Sequence, residues 1–571
     1  MGDGTRGVRM DRLAMKKTTG AKVLAEVIHG HGITHVFYVP QVISKALVAM
    51  EDLDIRRVVA HSEKGAAYMA DGYARARGGP GVCMAQPIGA SNLASGLRDA
   101  YMAHSPVIAI SGGPAVPSRY RHAYQEVEDF CQFDPVTKSN VNVDHVSRLP
   151  DLLRQAFRTA TSGTPGPVHL RFQGRGADVP LGEGEIEAGI EPQFGQVPAF
   201  RPQPDPAQVR AALATLAGAE RPIIVAGGGV VNSGAQQEVV ALAEKLQIPV
   251  ATSLNGKGVI LDTHPLSVGV VGTYSRECAN RAVYEADLVF YIGSPAGGMV
   301  TGNWTVPAAG TRVMQLDIEP TELGRNFPNT VSLLGDAKVT LGHLLAAAQG
   351  PGRNTQAWVA RVQQLVSEWR AQAAAMLGSD AVPLRPERIC REITEALPAD
   401  GVLVADTGHA GMWTSQMCDL TQPGQRYIRC AGSLGWAVPG AMGVKCALPE
   451  RPVLCFTGDG GAYYHLPELE TALRYGINLV VLVNNNAALS QEHASLQANY
   501  GGTLRGKADE LWRFSDFNFA KVAEAMGCAS FRVERPGDIK GALTEAFALN
   551  RPVVVEVISD IRAMAPKAWA P

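Results

Sequence analysis

Residues 452–461 read Pro-Val-Leu-Cys-Phe-Thr-Gly-Asp-Gly-Gly and decide the fold class of this chain. The apolar run at their start is typical of a buried parallel strand. A helix is predicted over 466–475, and the apolar run 479–483 predicts the next strand. In a right-handed strand–helix–strand unit the carboxyl ends of both strands lie side by side. The sequence therefore predicts a parallel sheet at whose edge Asp459 meets Asn486.

Asp459 and Asn486 bring oxygen atoms to this predicted sheet edge. Mg²⁺ binds about six oxygen atoms and readily takes phosphate oxygens among them. The backbone N–H groups of Gly460 and Gly461, at the start of a helix, favour an anion such as a diphosphate. We therefore expect a site for Mg²⁺ and a diphosphate. The alternative is a simple turn followed by asparagines that cap a helix.

Length and composition narrow the class of protein. A chain of 571 residues predicts about three or four domains. Its formal net charge of −2 offers no electrostatic basis for binding nucleic acid or an anionic membrane. No apolar run approaches the roughly 20 residues of a membrane span, and residues 1–17 are polar and basic, unlike a signal peptide. With nine scattered cysteines and no Cys-x-x-Cys pair, we expect a cytoplasmic, reduced protein.

Alternating strand and helix patterns divide the chain into three blocks. The alternation is typical of the α/β class and predicts three doubly wound parallel-sheet domains. We expect these domains over residues 18–190, 205–347 and 378–560, with a linker rich in Pro and Gly after the first. A helix over 355–377 is expected to bridge the second and third domains. The apolar tail 561–571 is expected either to fold over the active site as a lid or to fray.

A second motif lies in the first block. Residues 61–75 read His-Ser-Glu-Lys-Gly-Ala-Ala-Tyr-Met-Ala-Asp-Gly-Tyr-Ala-Arg. Together with Gly-Asp-Gly at 458–460 and Asn-Asn at 485–486, this segment resembles the thiamine diphosphate-dependent acetolactate synthase-like superfamily. The resemblance implies pyrimidine-binding, central and diphosphate-binding domains in that order, with thiamine diphosphate and Mg²⁺ as cofactors. It also implies that Glu63 is the glutamate that shares a proton with N1′ of the cofactor's aminopyrimidine.

The resemblance also implies a set of cofactor and metal ligands. Mg²⁺ would be held by Asp459, Asn486 and the carbonyl oxygen of Ala488. Leu434 would wedge under the cofactor and keep its two rings in a bent form. The residues expected to bind the cofactor are Glu63, Gly408, His409, Leu434, Asp459, Gly460, Gly461 and Asn486.

The candidate catalytic residues are Glu63, Gln86, Gln125 and Glu492. Glu492 follows the expected metal site closely in the chain. A carboxylate near the reacting carbon would assist proton transfer. The alternative for Glu492 is a solvated cluster at the start of a helix.

The expected substrate pocket departs from the family pattern at three positions. Tyr38 and Gln41 stand where relatives keep glycine, and Tyr124 stands where acetolactate synthases usually have phenylalanine. Larger side chains at 38 and 41 predict a filled or reshaped pocket. The relatives' substrate is therefore not carried over to this chain.

Glycine turns in the middle block indicate a possible nucleotide site. Asp317 and Ile318 follow a predicted strand, and an acidic residue at a strand end can bind a ribose. The resemblance implies FAD in some relatives, ADP in those that handle CoA, and no nucleotide in others. These three outcomes remain open at this point.

The leading expectation from the sequence is a 2-hydroxyacyl-CoA lyase that releases formyl-CoA and a ketone or aldehyde. An ionised Glu492 would repel free 2-oxo acids, whereas a thioester carries no charge beside its reacting carbon. The alternative is decarboxylation and carboligation of 2-oxo acids, as in acetolactate synthases. An alternative of another class is a dinucleotide-binding protein without thiamine chemistry. The resemblance further implies a homodimer or homotetramer whose active site lies between subunits.

Overall fold

Three six-stranded sheets form the framework of the protein. A computed structural model describes residues 16–350 and 355–571. Within each of these sheets all neighbouring strands run parallel. The predicted α/β class with three parallel-sheet domains is therefore confirmed. Residues 1–15 of the polar and basic N-terminal segment lie outside the described residues.

The described residues of the first unit form eight strands and five α-helices. Its strands are β1 (Lys16–Thr19), β2 (His35–Tyr38), β3 (Arg56–Val59), β4 (Gly81–Ala85), β5 (Val107–Gly113), β6 (Asn140–Val143), β7 (Val168–Gln173) and β8 (Glu183–Ile186). Its helices are α1 (Gly20–Gly30), α2 (Ser44–Ala49), α3 (Glu63–Arg77), α4 (Ala90–Met102) and α5 (Leu149–Thr161). The strand order is β3-β2-β4-β5-β7-β6, and β1 pairs with β8 in a separate antiparallel ribbon.

The second unit is the central one. Its strands are β9 (Pro222–Ala226), β10 (Val250–Thr252), β11 (Ser267–Val270), β12 (Leu288–Ile292), β13 (Arg312–Asp317) and β14 (Asn329–Leu334). Its helices are α6 (Pro206–Ala217), α7 (Gly228–Ser233), α8 (Gln236–Leu246), α9 (Glu277–Glu285) and α10 (Ala337–Ala347). The strand order is β11-β10-β9-β12-β13-β14. Ile224 and Ile223 of β9 belong to different apolar clusters, so both faces of the sheet are covered, as a doubly wound sheet requires.

The third unit follows a long helix, α11 (Thr355–Leu377). Its strands are β15 (Val402–Ala405), β16 (Arg426–Arg429), β17 (Val453–Gly458), β18 (Val480–Asn485), β19 (Ala529–Val533) and β20 (Val553–Ile558). Its helices are α12 (Pro386–Ala396), α13 (His409–Met417), α14 (Ala437–Ala447), α15 (Asp459–Tyr464), α16 (Glu468–Tyr475), α17 (His493–Asn499), α18 (Phe519–Ala525) and α19 (Ile539–Ala548). The strand order is β16-β15-β17-β18-β20-β19.

The helix α11 has the bounds that the sequence predicts and joins the second and third units. Near its start, the Trp358 indole N–H donates to the Pro222 carbonyl at 2.8 Å. Near its end, the Arg370 guanidinium lies 2.9 Å from an Asp419 carboxylate oxygen. This helix therefore contacts both the second and the third unit.

A buried charge cluster also ties the central unit to the third unit. Asp262 lies 3.0 Å from the Lys257 ammonium and 2.9 Å from the Arg276 guanidinium, and all three side chains are buried. Arg276 reaches across to Asp419, 2.6 Å away. Buried charges of this kind require partners, because removing one leaves the other uncompensated.

The first and third units pack through α3 and α14. A Cβ added at Gly72 would lie 2.0 Å from the Gly440 carbonyl oxygen, and one at Gly443 would lie 1.9 Å from the Met69 carbonyl oxygen. The two helices therefore approach so closely that only glycine fits at these points. Their apolar residues form one continuous core that spans both units.

In the part of the chain that the structure describes, no helix combines the length and apolar character needed to cross a membrane.

Candidate active site

Four adjacent strands of the third sheet end at one edge and carry the predicted diphosphate side. In the order β16, β15, β17 and β18, these strands lead into the segments with Leu434, Gly408, Asp459 and Asn486. The carboxyl edge of a parallel sheet is where such folds bind ligands. The strand–helix–strand expectation thus places these segments side by side.

Asp459 is the buried centre of this edge. Its carboxylate accepts hydrogen bonds from the backbone N–H groups of Gly460 at 2.7 Å, Asn486 at 3.2 Å and Ala488 at 3.0 Å. Burial raises the pKa of Asp459 to about 6, and these N–H donors act against that rise. The donors at Asn486 and Ala488 bring their segment to the carboxylate.

The oxygen atoms at this edge suit Mg²⁺. The Asn486 amide nitrogen donates to the Ser490 hydroxyl at 3.0 Å, which leaves the amide oxygen as a ligand. The Ala488 carbonyl oxygen accepts no hydrogen bond from the described residues. Among those residues no three His, Cys, Asp or Glu side chains assemble as a metal site. A hard cation that completes its shell with phosphate oxygens fits one carboxylate and two neutral oxygens.

Three glycines at this edge have no room for a side chain. Gly408 has φ +64° and ψ −142°, a conformation essentially restricted to glycine. A Cβ there would lie 2.5 Å from the Gln491 side-chain oxygen. A Cβ at Gly460 would lie 2.6 Å from Leu489, and one at Gly461 would lie 2.5 Å from the Thr457 hydroxyl. A side chain at any of these three positions would therefore collide with its neighbours, so the backbone can be this close only with glycine.

His409 lies beside the same site at the start of α13. Its Nδ1 is 3.2 Å from the Ser490 hydroxyl, and burial lowers the pKa of His409 to about 4. The imidazole is therefore neutral near pH 7. Because Asn486 donates to the same hydroxyl, the Ser490 O–H can in turn donate a hydrogen bond to His409 Nδ1, and Ser490 so joins the two groups.

Sequence reasoning missed Ser490 and Asp406. Asp406 is buried and accepts hydrogen bonds from the backbone N–H of Gly435 at 3.1 Å and from the Thr457 hydroxyl at 3.1 Å. It thereby links the ends of β15 and β17 to the segment that carries half-buried Leu434. The sequence signal was present, since Asp406 directly follows the apolar run of β15 and precedes Thr-Gly, but its partners lie far along the chain.

Glu63 occupies the first position of α3 at the carboxyl edge of the first sheet. One carboxylate oxygen accepts a hydrogen bond from the Asn92 side chain at 3.1 Å. The other contacts Gly89 so closely that an added Cβ would overlap it. The Ser62 hydroxyl caps the helix by accepting from the Gly65 N–H at 2.9 Å. Glu63 is therefore half-buried and held by neighbours from its own unit.

Gln86 and Gln125 lie next to each other on the first unit. The Gln125 amide donates to the Gln86 side-chain oxygen at 3.1 Å, and the Gln86 amide donates to the Pro40 carbonyl at 2.8 Å. This chain of hydrogen bonds leads to the segment that contains Gln41, whose own side chain is exposed. Their catalytic roles stay predictions.

The three expected pocket residues differ in their surroundings. Tyr38 is half-buried at the end of β2, and burial raises its pKa. Tyr124 is 69% exposed, with the Arg175 guanidinium 4.5 Å from its ring centre. The pocket roles of Tyr38, Gln41 and Tyr124 stay predictions.

Glu492, a candidate catalytic residue, ends a short 3₁₀ turn and its side chain is exposed. Its catalytic role also stays a prediction.

A separate cleft of about 1590 Å³ lies between the three units. Asp317 and Ile318 line it at the end of β13, as the sequence predicts for a nucleotide site. Burial raises the pKa of Asp317 to about 6. The nucleotide site itself, for FAD, ADP or neither, stays a prediction.

The C-terminal tail packs against the central unit. Trp569 lies 5.5 Å from Tyr284 between ring centres, and its carbonyl accepts a hydrogen bond from Asn280 at 2.9 Å. The Gln416 amide at the end of α13 reaches the Pro566 carbonyl at 3.3 Å. The tail is therefore anchored, and its action as a lid stays a prediction.

Comparisons with known proteins define the class. The family model "Thiamine pyrophosphate enzyme, N-terminal TPP binding domain" matches residues 18–133. The corresponding central-domain model matches 209–344, and the C-terminal TPP binding domain model matches 406–557. The protein is thus a thiamine diphosphate-dependent enzyme of the carboligase type. The chain belongs to the acetolactate synthase-like superfamily of these enzymes.

The similar proteins span nearly the whole chain. A "Probable acetolactate synthase large subunit" of Methanocaldococcus jannaschii is 33% identical over 95% of this chain and 92% of its own length. "Glyoxylate carboligase" of Escherichia coli O157:H7 is 32% identical over 96% of this chain and 94% of its own length. "Acetolactate synthase isozyme 1 large subunit" of Escherichia coli K12 is 29% identical over 95% and 94%. The predicted superfamily and thiamine diphosphate binding are therefore confirmed.

Proposed function

We propose that this enzyme decarboxylates a 2-oxo acid and joins the remaining fragment to the carbonyl carbon of a second 2-oxo acid. The observation that carries the proposal is the cluster of Asp459, Asn486 and Ala488 oxygens at a glycine-lined sheet edge. The names of the similar proteins, acetolactate synthase and glyoxylate carboligase, support this substrate class. The leading expectation of a CoA ester is not confirmed, and the similar proteins favour the alternative.

The residues of the chain have separable tasks in this proposal. Bound thiamine diphosphate supplies a carbon nucleophile and an electron sink for the C–C bond that breaks. Asp459, Asn486 and the Ala488 carbonyl would hold Mg²⁺ against the diphosphate. Glu63 would hold a proton at the pyrimidine ring, and Asn92 fixes the direction of that carboxylate.

The exposure of Glu492 weakens the sequence argument against 2-oxo acids. That argument needs an unscreened charge beside the reacting carbon, but Glu492 is exposed. Water and salt screen exposed charges strongly. A carboxylate substrate therefore meets little repulsion from Glu492.

The two halves of the site point to an assembly of two chains. Within one chain the first and third units meet through α3 and α14 and through the His61 N–H, which donates to Glu468 at 3.1 Å. Glu63 instead accepts its hydrogen bond from Asn92 of its own unit. No hydrogen bond between described residues joins Glu63 to Asp459 or Asn486. A homodimer or larger homo-oligomer would place Glu63 of one chain over the diphosphate side of another. A fully active monomer in sedimentation at assay concentration would refute this arrangement.

The substrate class is tested by a direct comparison. Purified protein with thiamine diphosphate and Mg²⁺ is given pyruvate, glyoxylate, or a panel of 2-hydroxyacyl-CoA esters. Two pyruvate anions and one proton should yield one acetolactate anion and CO₂, followed by proton NMR and CO₂ release. We expect kcat/KM for a 2-oxo acid to exceed that for any ester at least tenfold, about 1.4 kcal/mol.

The controls make this comparison decisive. Glu63→Gln protein should bind the cofactor but release little CO₂, which excludes a contaminating enzyme. Formyl-CoA from an ester, with no CO₂ from either 2-oxo acid, would overturn the proposal in favour of the lyase.

A narrower proposal concerns the cleft between the three units. Asp317 at its wall would accept a hydrogen bond from a ribose hydroxyl of FAD or ADP. Ultraviolet–visible spectroscopy and mass spectrometry of the ligand released from purified protein would identify either one. Release of neither from wild-type protein, with no binding on addition, would refute the nucleotide.

A further inference from the structure

The segment that carries Leu434 is held by a residue of another unit. Asp99 lies on α4 of the first unit and is completely buried. One of its carboxylate oxygens accepts hydrogen bonds from the backbone N–H groups of Gly432 and Ser433, both at 2.9 Å. The other accepts from the Ala431 N–H at 2.8 Å. Three consecutive N–H groups immediately before Leu434 therefore share one carboxylate from a distant part of the chain.

Two residues of α3 reinforce this contact. Arg75 lies 3.3 Å from Asp99 and 2.7 Å from Asp71, and it also donates to the Arg429 carbonyl. Asp71 accepts a hydrogen bond from the Trp436 indole N–H at 2.9 Å. Both ends of the 429–436 segment are thus tied to α3, while Asp99 holds its middle.

The opposite side of the segment is fixed within the third unit. Asp406 accepts from the Gly435 N–H at 3.1 Å, and its other oxygen lies 3.4 Å from the Ala437 N–H. Leu434 therefore lies between residues 431–433, whose N–H groups donate hydrogen bonds to Asp99, and Gly435, whose N–H group donates to Asp406. Without either acceptor, several N–H groups of this segment would lose their partners, and the segment would have to move to recover them.

From this arrangement we infer that Asp99 is a positioning residue for the reaction. Through its hydrogen bonds to residues 431–433 it would set the position of Leu434 against bound cofactor, and through α4 it would make that position depend on the first unit of the same chain. The inference rests on the proposed function, because Leu434 matters only where a bent thiamine diphosphate lies over it. Small displacements of a positioning group lower rates strongly when reacting atoms must be aligned.

The test measures hydrogen–deuterium exchange at C2 of bound thiamine diphosphate in Asp99→Asn protein. The asparagine keeps the size of the side chain but turns an N–H₂ group toward one of its donors. We expect exchange to slow at least tenfold, while the dissociation constant for thiamine diphosphate with saturating Mg²⁺ changes less than threefold. A residue that only stabilises the fold would leave the exchange rate of the bound cofactor unchanged, and that result would overturn the inference.

A double-mutant cycle shows whether Asp99 acts through Leu434. Leu434→Ala alone should slow exchange, and the Asp99→Asn/Leu434→Ala double variant should be no slower than Leu434→Ala. Additive effects would overturn the inference. Should Asp99→Asn fail to fold, Asp99→Glu keeps the charge beside Arg75 and shifts the acceptor by one methylene, with the same expected and opposing results. A wild-type protein that binds no thiamine diphosphate would refute the proposed function itself, whereas normal binding with unaltered exchange in the variants refutes only the role of Asp99.

Discussion

Replacing Ser490 by alanine should weaken Mg²⁺-dependent binding of thiamine diphosphate while the fold survives. The Ser490 hydroxyl is buried between the Asn486 amide at 3.0 Å and His409 Nδ1 at 3.2 Å. The variant removes both hydrogen bonds, so the Asn486 amide is free to turn its nitrogen toward the metal.

The magnitude follows from the two lost contacts. Each hydrogen bond contributes about 1 kcal/mol net, so the Mg²⁺ site should lose about 1 to 2 kcal/mol. That loss corresponds to roughly 5- to 30-fold weaker binding. It agrees with the 10- to 100-fold effects that groups orienting metal ligands typically show, in order of magnitude.

The assay is a titration of Mg²⁺ into apoprotein at saturating thiamine diphosphate. Intrinsic fluorescence reports on the site because the Trp413 ring lies 6.2 Å from His409. Ser495→Ala, five residues further on at an exposed position of α17, is the matched control and should bind like wild type. Unchanged Mg²⁺ affinity in Ser490→Ala would refute the orienting role of the hydroxyl.

Three further predictions follow from the same structure. Glu63→Gln should slow C2 hydrogen–deuterium exchange of the bound cofactor roughly 10²- to 10⁴-fold, since an amide cannot share the proton; a rate equal to wild type would remove Glu63 from the mechanism. Asp262→Ala removes a carboxylate partner of buried Arg276. The free energy of unfolding measured in urea should therefore fall by about 3–5 kcal/mol, and a loss below about 1 kcal/mol would contradict this prediction. Burial acts to raise the pKa of Asp419, but Arg276 and Arg370 outweigh it and hold that pKa well below its ordinary value of 3.8. The ion pairs of Asp419 should therefore contribute stability that is present at higher pH and is lost as the pH falls below 3.8. The urea concentration at the midpoint of unfolding should accordingly decrease less on acidification in Asp419→Asn than in wild type.

Local sequence patterns determine most of the fold. Apolar runs such as 479–483 predict strands because parallel strands are buried on both faces, and glycine after β17 marks the approach of a ligand or a helix. The helix predicted over 466–475 is α16 in the structure, which begins two residues later, at Glu468, and a break after Tyr464 separates it from α15. Pro467 stands at the break, since proline suits the first turn of a helix and not its interior.

Residues close in sequence also determine part of the site. Asp459 and Asn486 are brought together by one strand–helix–strand unit, so their meeting can be read from spacing alone. Glu492 shows the limit of that reasoning. It lies only four residues beyond Ala488, yet its side chain is exposed, because the turn that separates them decides which way it points.

Only the tertiary structure decides which buried groups hold the site in place. Sequence spacing does not single out Ser490, Asp406 or Asp99, and Asp99 meets its partners across 332 to 334 residues of chain. Periodicity and spacing describe neighbours along the chain, whereas these contacts arise where separate units pack. The sequence determines the elements and the chemistry at the strand ends; the packing of α3 and α4 against the third unit determines where Leu434 stands, because buried N–H groups must find acceptors wherever the fold brings them.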